Sequence, residues 1–355
     1  MKNFYRDKKI LITGHTGFKG AWLTQILLNW GADIAGLSLL PETEPSLFEV
    51  LGLQKKITNY FYDIRDYSLV RKVVLKERPE IVFHLAAQAL VRESYDDPIK
   101  TFATNTMGTV HILHAIREAG CVKSAVIITT DKVYKNAGQN RPQKEADPLG
   151  GHDPYSASKA AAEMVIESYA KSFFNPADFR KNHNTLIASA RAGNVIGGGD
   201  WARDRLIPDF IRSACEKKNK LTIRKPKAIR PWQYVLDPLS GYLILAKRLH
   251  AGEKKLSSAW NFGPPKRSFV SVEEIMKKLS IMLGEADYKI RPQNDKPEAD
   301  VLKLDASKAE KLLGWTPKYN LDQSLECAME WYKGYYSDPG HILKLTDNQI
   351  KRFFN

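Results

Sequence analysis

The sequence predicts an α/β fold, a Rossmann-type doubly wound parallel sheet with a smaller C-terminal substrate-binding lobe. Three observations carry that expectation. Short apolar runs alternate with helical stretches from Lys9 to Ser189. The spacing Gly14-x-x-Gly17-x-x-Gly20 joins the first apolar run to the first helical one. Past Arg191 the texture changes, with Asn194-Val-Ile-Gly-Gly-Gly-Asp200 opening a region of shorter, less regular elements. Strand–helix alternation on this scale is the pattern of a parallel sheet whose crossovers are helices.

In chain order, Lys9–Thr13 reads as a short buried strand. The helix after it carries Trp22, Leu23, Ile26, Leu27 and Trp30 at helical spacing and is ended by Gly31. Asp33–Leu37 is the second strand, and Tyr60–Tyr62, Ile81–Leu85, Ser124–Ile128 and Thr185–Ser189 are the later ones. Helical stretches such as Tyr67–Lys76 and Thr106–Glu118 separate them. Val235–Leu249 reads as a long helix that returns to the first lobe. The expected organisation is therefore a dinucleotide-binding domain over 1–193, a substrate-binding lobe over 194–340 and a C-terminal tail over 341–355. Ligands of such sheets gather at the carboxyl ends of the strands.

With 355 residues, 43% hydrophobic and 26% charged, the chain can build two lobes around a substantial core. No apolar run reaches bilayer length. Only Ile10-Leu11-Ile12 follows the basic start before Thr13-Gly14, too short for a signal-peptide core. Cys121, Cys215 and Cys327 are isolated and odd in number, which fits a reducing, cytoplasmic setting better than a disulfide framework. The formal charge of +14 is spread from Lys2 to Arg352. Spread charge favours a field that draws in an anionic nucleotide over nucleic-acid binding. No His/Cys/carboxylate cluster has metal-ligand spacing, so no metal is expected.

The chemistry centres on Tyr155 and Lys159 in Pro154-Tyr-Ser-Ala-Ser-Lys159. A tyrosine is a poor base at neutral pH, with a reference pKa of about 10. A lysine four residues on shares its helix face, and a cation that close lowers a phenol by roughly 1–3 units. Such a tyrosine can take a proton from an alcohol as a hydride leaves the same carbon.

Gly14, Thr16, Gly17, Phe18 and Gly20 form a loop suited to a pyrophosphate, because glycine lets backbone amides approach it at a helix N-terminus. The segment Leu85-Ala86-Ala87, at the end of the fourth strand, joins the cofactor-binding set, and Tyr155 and Lys159 complete it, with Lys159 able to hold the nicotinamide ribose. The usual acidic residue for the adenosine ribose is missing from Gly36-Leu-Ser38-Leu-Leu-Pro41. Ser38 and backbone groups are left to hold that ribose, and no arginine there favours a 2′-phosphate. Asp63 and Ile64 are placed to meet the adenine; Asp63 reads equally well as a cap for the next helix. His84, inside a strand, reads as a satisfied core histidine.

Taken together, the glycine loop, His84-Leu-Ala-Ala-Gln88, Asn105-Thr-Met-Gly-Thr109, Thr130-Asp131, Tyr155-x-x-x-Lys159 and Arg191-Ala-Gly-Asn194 resemble the extended short-chain dehydrogenase/reductases, in order over nearly the whole chain. Within them the chain is most similar to the CDP-glucose 4,6-dehydratase branch. That likeness rests on Gly14-His-Thr-Gly-Phe-Lys-Gly-Ala-Trp22, Pro45-Ser-Leu-Phe-Glu49, Thr130-Asp-Lys132, Gly197-Gly-Gly-Asp-Trp201, Arg230-Pro-Trp-Gln233 and Trp260-Asn-Phe-Gly263. The related dTDP-glucose branch carries Thr-Asp-Glu where this chain has Thr130-Asp131-Lys132.

The resemblance implies NAD as cofactor and a nucleotide sugar, CDP-glucose, as substrate. It also implies catalytic roles for Thr130, Asp131, Lys132, Tyr155 and Lys159, with Gln88, Asn194, Arg203 and Arg230 on the substrate. Asp131 would be the acid for the departing C6 oxygen, which requires burial to raise its pKa. Lys132 would be the C5 base, or would stay charged and stabilise an enolate. Trp232 and Trp260 are expected mainly in the core. The family dimerises through two helices of the first lobe, so a homodimer or dimer of dimers is expected, with Met164, Val165 and Tyr169 at its face or in the core. A 4-epimerase or a dTDP-glucose dehydratase on the same fold is the nearest alternative. A non-catalytic dinucleotide sensor is more remote, since such proteins typically lack the Tyr or the Lys.

Overall fold

The first lobe of the computed structural model is built on β1 (Lys9–Thr13), β2 (Asp33–Leu37), β3 (Thr58–Tyr60), β4 (Ile81–His84), β5 (Ser124–Ile128) and β6 (Leu186–Ala192). The structure describes residues 1–135, 141–215, 221–284, 286–291 and 301–355. A seventh strand, Ala259–Phe262, pairs with β6, giving the order Ala259–Phe262, β6, β5, β4, β1, β2, β3 with every pairing parallel. The strand order reverses between β1 and β4, so the crevice at their carboxyl ends is the topological switch point. β4, β5 and β6 are buried along their whole length, as expected of strands covered by helices on both faces.

β3 and β6 differ most from the sequence reading, each for a pairing reason, and β4 ends at His84 rather than Leu85. β3 is Thr58–Tyr60 rather than Tyr60–Tyr62, because its ladder runs Ala35↔Thr58 to Leu37↔Tyr60 and stops where β2 stops. β6 continues past Ser189 to Ala192, because Ala259–Phe262 supplies a partner from Ser189 onward. That extension carries Arg191 and delivers Gly193 and Asn194 to the crevice.

The Leu236–His250 helix packs on β5 and β6, burying Leu239, Tyr242, Leu243, Leu245 and Ala246. Most of the stretch read as a C-terminal tail is the helix Ile342–Phe354. It docks through Phe354, edge-on to Trp30 at 4.9 Å between centroids, and Phe353, edge-on to Tyr319 at 5.3 Å. The start of the helix Leu206–Cys215 and the strand Leu221–Ile223 wall one side of the crevice.

Candidate active site

Two adjoining cavities occupy the crevice. One, of about 250 Å³, lies over the glycine loop; the other, of about 340 Å³, lies over the end of β5. Lys19, Leu90, Asp200 and Arg205 line both.

The first cavity is shaped by the absence of side chains. A Cβ on Gly20 would stand 2.1 Å from the Gly14 carbonyl oxygen, and one on Gly14 would stand 2.6 Å from the Ala86 nitrogen. Gly14 also has φ of 74°, in the left-handed region. Thr16, Gly17, Phe18, Ser38, Asp63, Ile64, Leu85, Ala86 and Ala87 line this space, so the glycine-loop and strand-end residues of the expected cofactor set meet here; of the other two, Tyr155 lines the second cavity and Lys159 lines neither. Its form suits a dinucleotide: a glycine cradle at a helix N-terminus for the diphosphate, with Ile64 and Asp63 at the outer end. The Thr16 and Ser38 hydroxyls are 2.8 Å apart, which fixes Ser38 at the cavity wall. Asp63 pairs with Arg65 at its side chain and backbone, and the next helix is capped by Asp66 instead.

The second cavity holds the acid–base groups. Thr130, Asp131, Lys132 and Tyr155 line it, together with Asn194 and Arg230. The Thr130 hydroxyl donates to Asp131 Oδ1 at 3.1 Å. Asp131 Oδ2 is buried with no hydrogen-bond partner among the described residues, close to where a Cβ on Gly193 would lie. Burial raises the Asp131 carboxyl above its usual range, against the opposing pull of Lys132, Thr130 and Arg230. Lys132 is only half-buried, with the cavity beside it.

Tyr155 opens the helix Pro154–Ser172, which is capped by the Asp153 carboxylate. The Tyr155 amide donates to Ser94 Oγ at 3.1 Å. Lys159 lies one turn on and donates to the Ile128 carbonyl at 3.1 Å. Burial pushes the Tyr155 phenol up to about 12, opposite to the direction expected from the pair; Thr130 and Arg205 pull it back. The displaced partner is the lysine itself: burial first, and Lys19 second, bring Lys159 down to about 7, against Glu163.

A buried ion pair sets this helix against the sheet. Glu163 accepts two bonds from Arg191, each at 2.9 Å, and one each from Thr129 at 2.5 Å and Ser189 at 2.7 Å. Burial opposes ionisation of Glu163, but Arg191, Thr129 and Ser189 overcome it and hold the carboxyl low. Glu163 thus ties the turn before Thr130 to the helix carrying Tyr155 and Lys159. Because breaking one partner of a buried pair strands the other charge, Glu163→Gln is expected to destabilise the protein by about 3–5 kcal/mol. Denaturant unfolding checks this; a loss below about 1 kcal/mol would contradict the role.

Of the four expected substrate residues, two line the second cavity, one lines the first and one lines neither. Asn194 and Arg230 line the second cavity, and Arg230 is 5% exposed. Gln88 does not line it; its amide is spent on its own loop, accepting from the Leu90 amide at 2.5 Å and donating to Thr101 Oγ1 at 3.2 Å. Arg203 points to solvent and lines neither cavity, while Arg205 lines both. Asp204, between them, has φ of 58° and turns the chain so that its neighbours diverge. His84 is a core residue, bonded to Thr13 at 2.7 Å and brought down to about 3 by burial and then Lys159. Trp260 is fully buried, whereas the edge of Trp232 reaches the cavity.

Sequence reasoning passed over Lys19 and Arg205. Burial, with Arg205 adding to it and Asp131 opposing, brings Lys19 down to about 8. Arg205 is paired with Asp200 at 2.8 Å. Lys19 stands inside the glycine motif, and Arg205 two residues past the arginine that was chosen. Among the described residues no group of His, Cys, Asp and Glu is arranged to hold a metal, and no helix is long and apolar enough to cross a membrane.

Comparison with known proteins places this arrangement. The family described as GDP-mannose 4,6 dehydratase matches residues 11–327. A CDP-glucose 4,6-dehydratase from Salmonella typhimurium is 47% identical over 94% of this chain and 93% of its own length. A UDP-glucose 4-epimerase from Lacticaseibacillus casei is 27% identical over 92% of this chain and 97% of that protein. The fold is shared with the dTDP-glucose 4,6-dehydratase of Streptomyces venezuelae solved with NAD and TYD bound. That likeness has a TM-score of 0.79 at 22% identity and covers 95% of this chain and 99% of that one.

Proposed function

The chain belongs to the GDP-mannose 4,6 dehydratase family, and from that premise we propose that it is an NAD-dependent hydro-lyase that converts CDP-glucose to CDP-4-keto-6-deoxyglucose. The nucleotide and reaction follow the relative that shares 47% of its residues. The observation that carries the reaction type is the buried, unpartnered Asp131 Oδ2 beside Thr130 and Tyr155. A 4-epimerase needs a base for one hydroxyl but no second acid. A dehydratase must also protonate a leaving oxygen, and a carboxyl raised by burial is suited to that task.

NAD, held over the glycine loop, supplies the hydride acceptor for C4 of the hexose and the hydride donor for C6. The chain's own residues do the proton work. Tyr155 takes the proton of the C4 hydroxyl, with Thr130 hydrogen-bonded to the same oxygen. Lys159, anchored on Ile128, would support the phenolate and hold the nicotinamide ribose. The resulting C4 ketone acidifies the C5 proton, which Lys132 is placed to accept. Asp131 donates its proton to the C6 oxygen as water departs, Lys132 returns its proton to C5 as C6 is reduced, and the proton held by Tyr155 restores Asp131. Asn194 and Arg230 hold the diphosphate and sugar, guanidinium being matched to phosphate geometry, and Arg205 adds a further cation at the junction of the cavities.

The test is incubation with CDP-glucose, and separately dTDP-glucose, with catalytic NAD, following the alkaline ultraviolet absorbance of a 4-keto sugar. Signal with CDP-glucose is the expected result. Signal with dTDP-glucose alone would refute the nucleotide, and none with either from protein that binds NAD would refute the reaction.

The same reading includes a cytoplasmic homodimer. The cysteines are free, in keeping with a reducing compartment. Ile99, 83% exposed, Met164, 56% exposed, Phe102, Met107 and Phe173 lie on adjoining helical segments of the first lobe. Val165 and Tyr169 pack into the core beneath. An apolar face of this kind on one side of a lobe marks a contact surface. Met164→Glu is expected to shift the protein from dimer to monomer in sedimentation experiments; an unchanged dimer would place the interface elsewhere.

A further inference from the structure

The second cavity runs from the acid–base groups, past the arginines, to a wall built by the start of the helix Leu206–Cys215 and the strand Leu221–Ile223. A nucleotide sugar has three parts of matching order: hexose, diphosphate and nucleoside. With the hexose at Tyr155 and the diphosphate at Arg205 and Arg230, the base falls at the helix and strand. Leu206, Ile207, Pro208 and Ile223 give that end an apolar lining suited to a flat ring.

One group there is out of keeping. Asp209 lines the cavity, although the substrate is anionic and the neighbouring Arg224 and Lys225 are cationic. Its Oδ1 is held by the Arg212 guanidinium, which also donates to the Ala202 carbonyl at 3.3 Å, so the carboxylate is fixed in place. Its Oδ2 takes no hydrogen bond from any described residue. An ionised carboxylate can only accept hydrogen bonds. Among pyrimidines, cytosine presents an amino donor at C4, whereas uracil and thymine present a carbonyl oxygen at that position.

We propose that Asp209 is the base-reading residue, accepting a hydrogen bond from the 4-amino group of a cytosine and repelling the 4-oxygen of uracil or thymine. This rests on the nucleotide-sugar reading above and adds the residue that selects the nucleotide. Acceptance of cytosine N4 by a carboxylate is a recurring pairing, and one such contact discriminates by about 1–3 kcal/mol, roughly 5–150-fold. The second effect, an acceptor set against an acceptor, widens the gap through exclusion of the wrong base.

The test is calorimetric titration of CDP and UDP into the full chain, in its natural form and as Asp209→Asn and Asp209→Ala. Both probes carry the same ribose and diphosphate, so only the base differs and no turnover is needed. The natural protein is expected to favour CDP by at least about tenfold. Asp209→Asn keeps an oxygen for Arg212 and offers an amide donor to the 4-oxygen, so the preference should vanish or reverse. Asp209→Ala should weaken CDP and strengthen UDP, bringing the two to about the same affinity. A natural protein that binds CDP and UDP equally would overturn the cytidine reading and this proposal with it. A natural preference for CDP that survives in both variants would overturn only the role of Asp209. Equal loss of both nucleotides would show that Asp209 shapes the helix rather than reads the base, which also overturns the proposal.

Discussion

Replacing Tyr155 with phenylalanine is expected to lower kcat for 4-keto sugar formation by about 10²–10⁴-fold, the usual worth of a positioned general base. Nucleotide-sugar binding should be nearly unchanged, because the ring keeps its place between the helix start and the cavity. The hydroxyl is the only group removed, and the Tyr155 amide stays on Ser94. A fall in affinity with kcat preserved would instead make Tyr155 a binding residue. The pH profile gives a second reading of the same site. A base must be deprotonated to act, so the rising limb of kcat/KM reports the phenol. Burial sets that phenol high, and the Arg205 cation is one of the groups drawing it down. Arg205→Met should therefore move the rising limb to higher pH, since loss of a cation disfavours the phenolate. A limb that stays in place would deny Arg205 any electrostatic role.

The parts of this site that the sequence made legible are those coded over a few residues. A strand, three glycines and a helix fall within Lys9–Asn29, and the cradle they form is local. Tyr155 and Lys159 share a face because four residues make one helical turn. Thr130 to Lys132 follow β5 directly, so a strand-end position was enough to find them. What stayed hidden depends on chain segments far apart. Glu163 meets Arg191 only because the helix crosses back over β6, and neither residue announces the other. Arg205 enters the site and Arg203 leaves it through one left-handed residue in an irregular loop, Asp204, where no period applies. The strand Ala259–Phe262 was missed because its four residues are recognised only by pairing with β6. Gln88 looked like a ligand at a strand end, but its amide had backbone to satisfy first. The direction of the Tyr155 shift was misjudged for a related reason. Sequence spacing reports that a cation is near, but the cost of burying both groups appears only once the helix is packed.

Asp131 and Lys132 are adjacent in sequence yet are expected to fail in opposite halves of the elimination. Exchange of the C5 hydrogen with solvent deuterium separates them, because removal of the C5 proton and loss of the C6 oxygen are distinct proton transfers. Asp131→Asn removes the acid while keeping size and the acceptor for Thr130. Water loss should fall by about 10²–10⁴-fold, while deuterium still enters C5 of the recovered substrate. Lys132→Met removes the candidate base and keeps the length of the stem. If the lysine takes the proton, both C5 exchange and product formation fall together by a similar factor. If the lysine remains charged and stabilises the enolate, Lys132→Arg should restore much of the exchange, since a cation returns without a base. Lys132 stands half-buried at the cavity beside a carboxyl that burial raises above its usual range, so the first outcome would put base and acid side by side. The lysine would then return its proton to C5 as C6 is reduced, and the proton that Tyr155 took from the C4 hydroxyl would restore the acid. Exchange that persists at the natural rate in Lys132→Met would remove the lysine from the proton path. The C5 proton would then have to reach another group lining the cavity, and Lys19, which burial and Arg205 bring down to about 8, carries comparable chemistry.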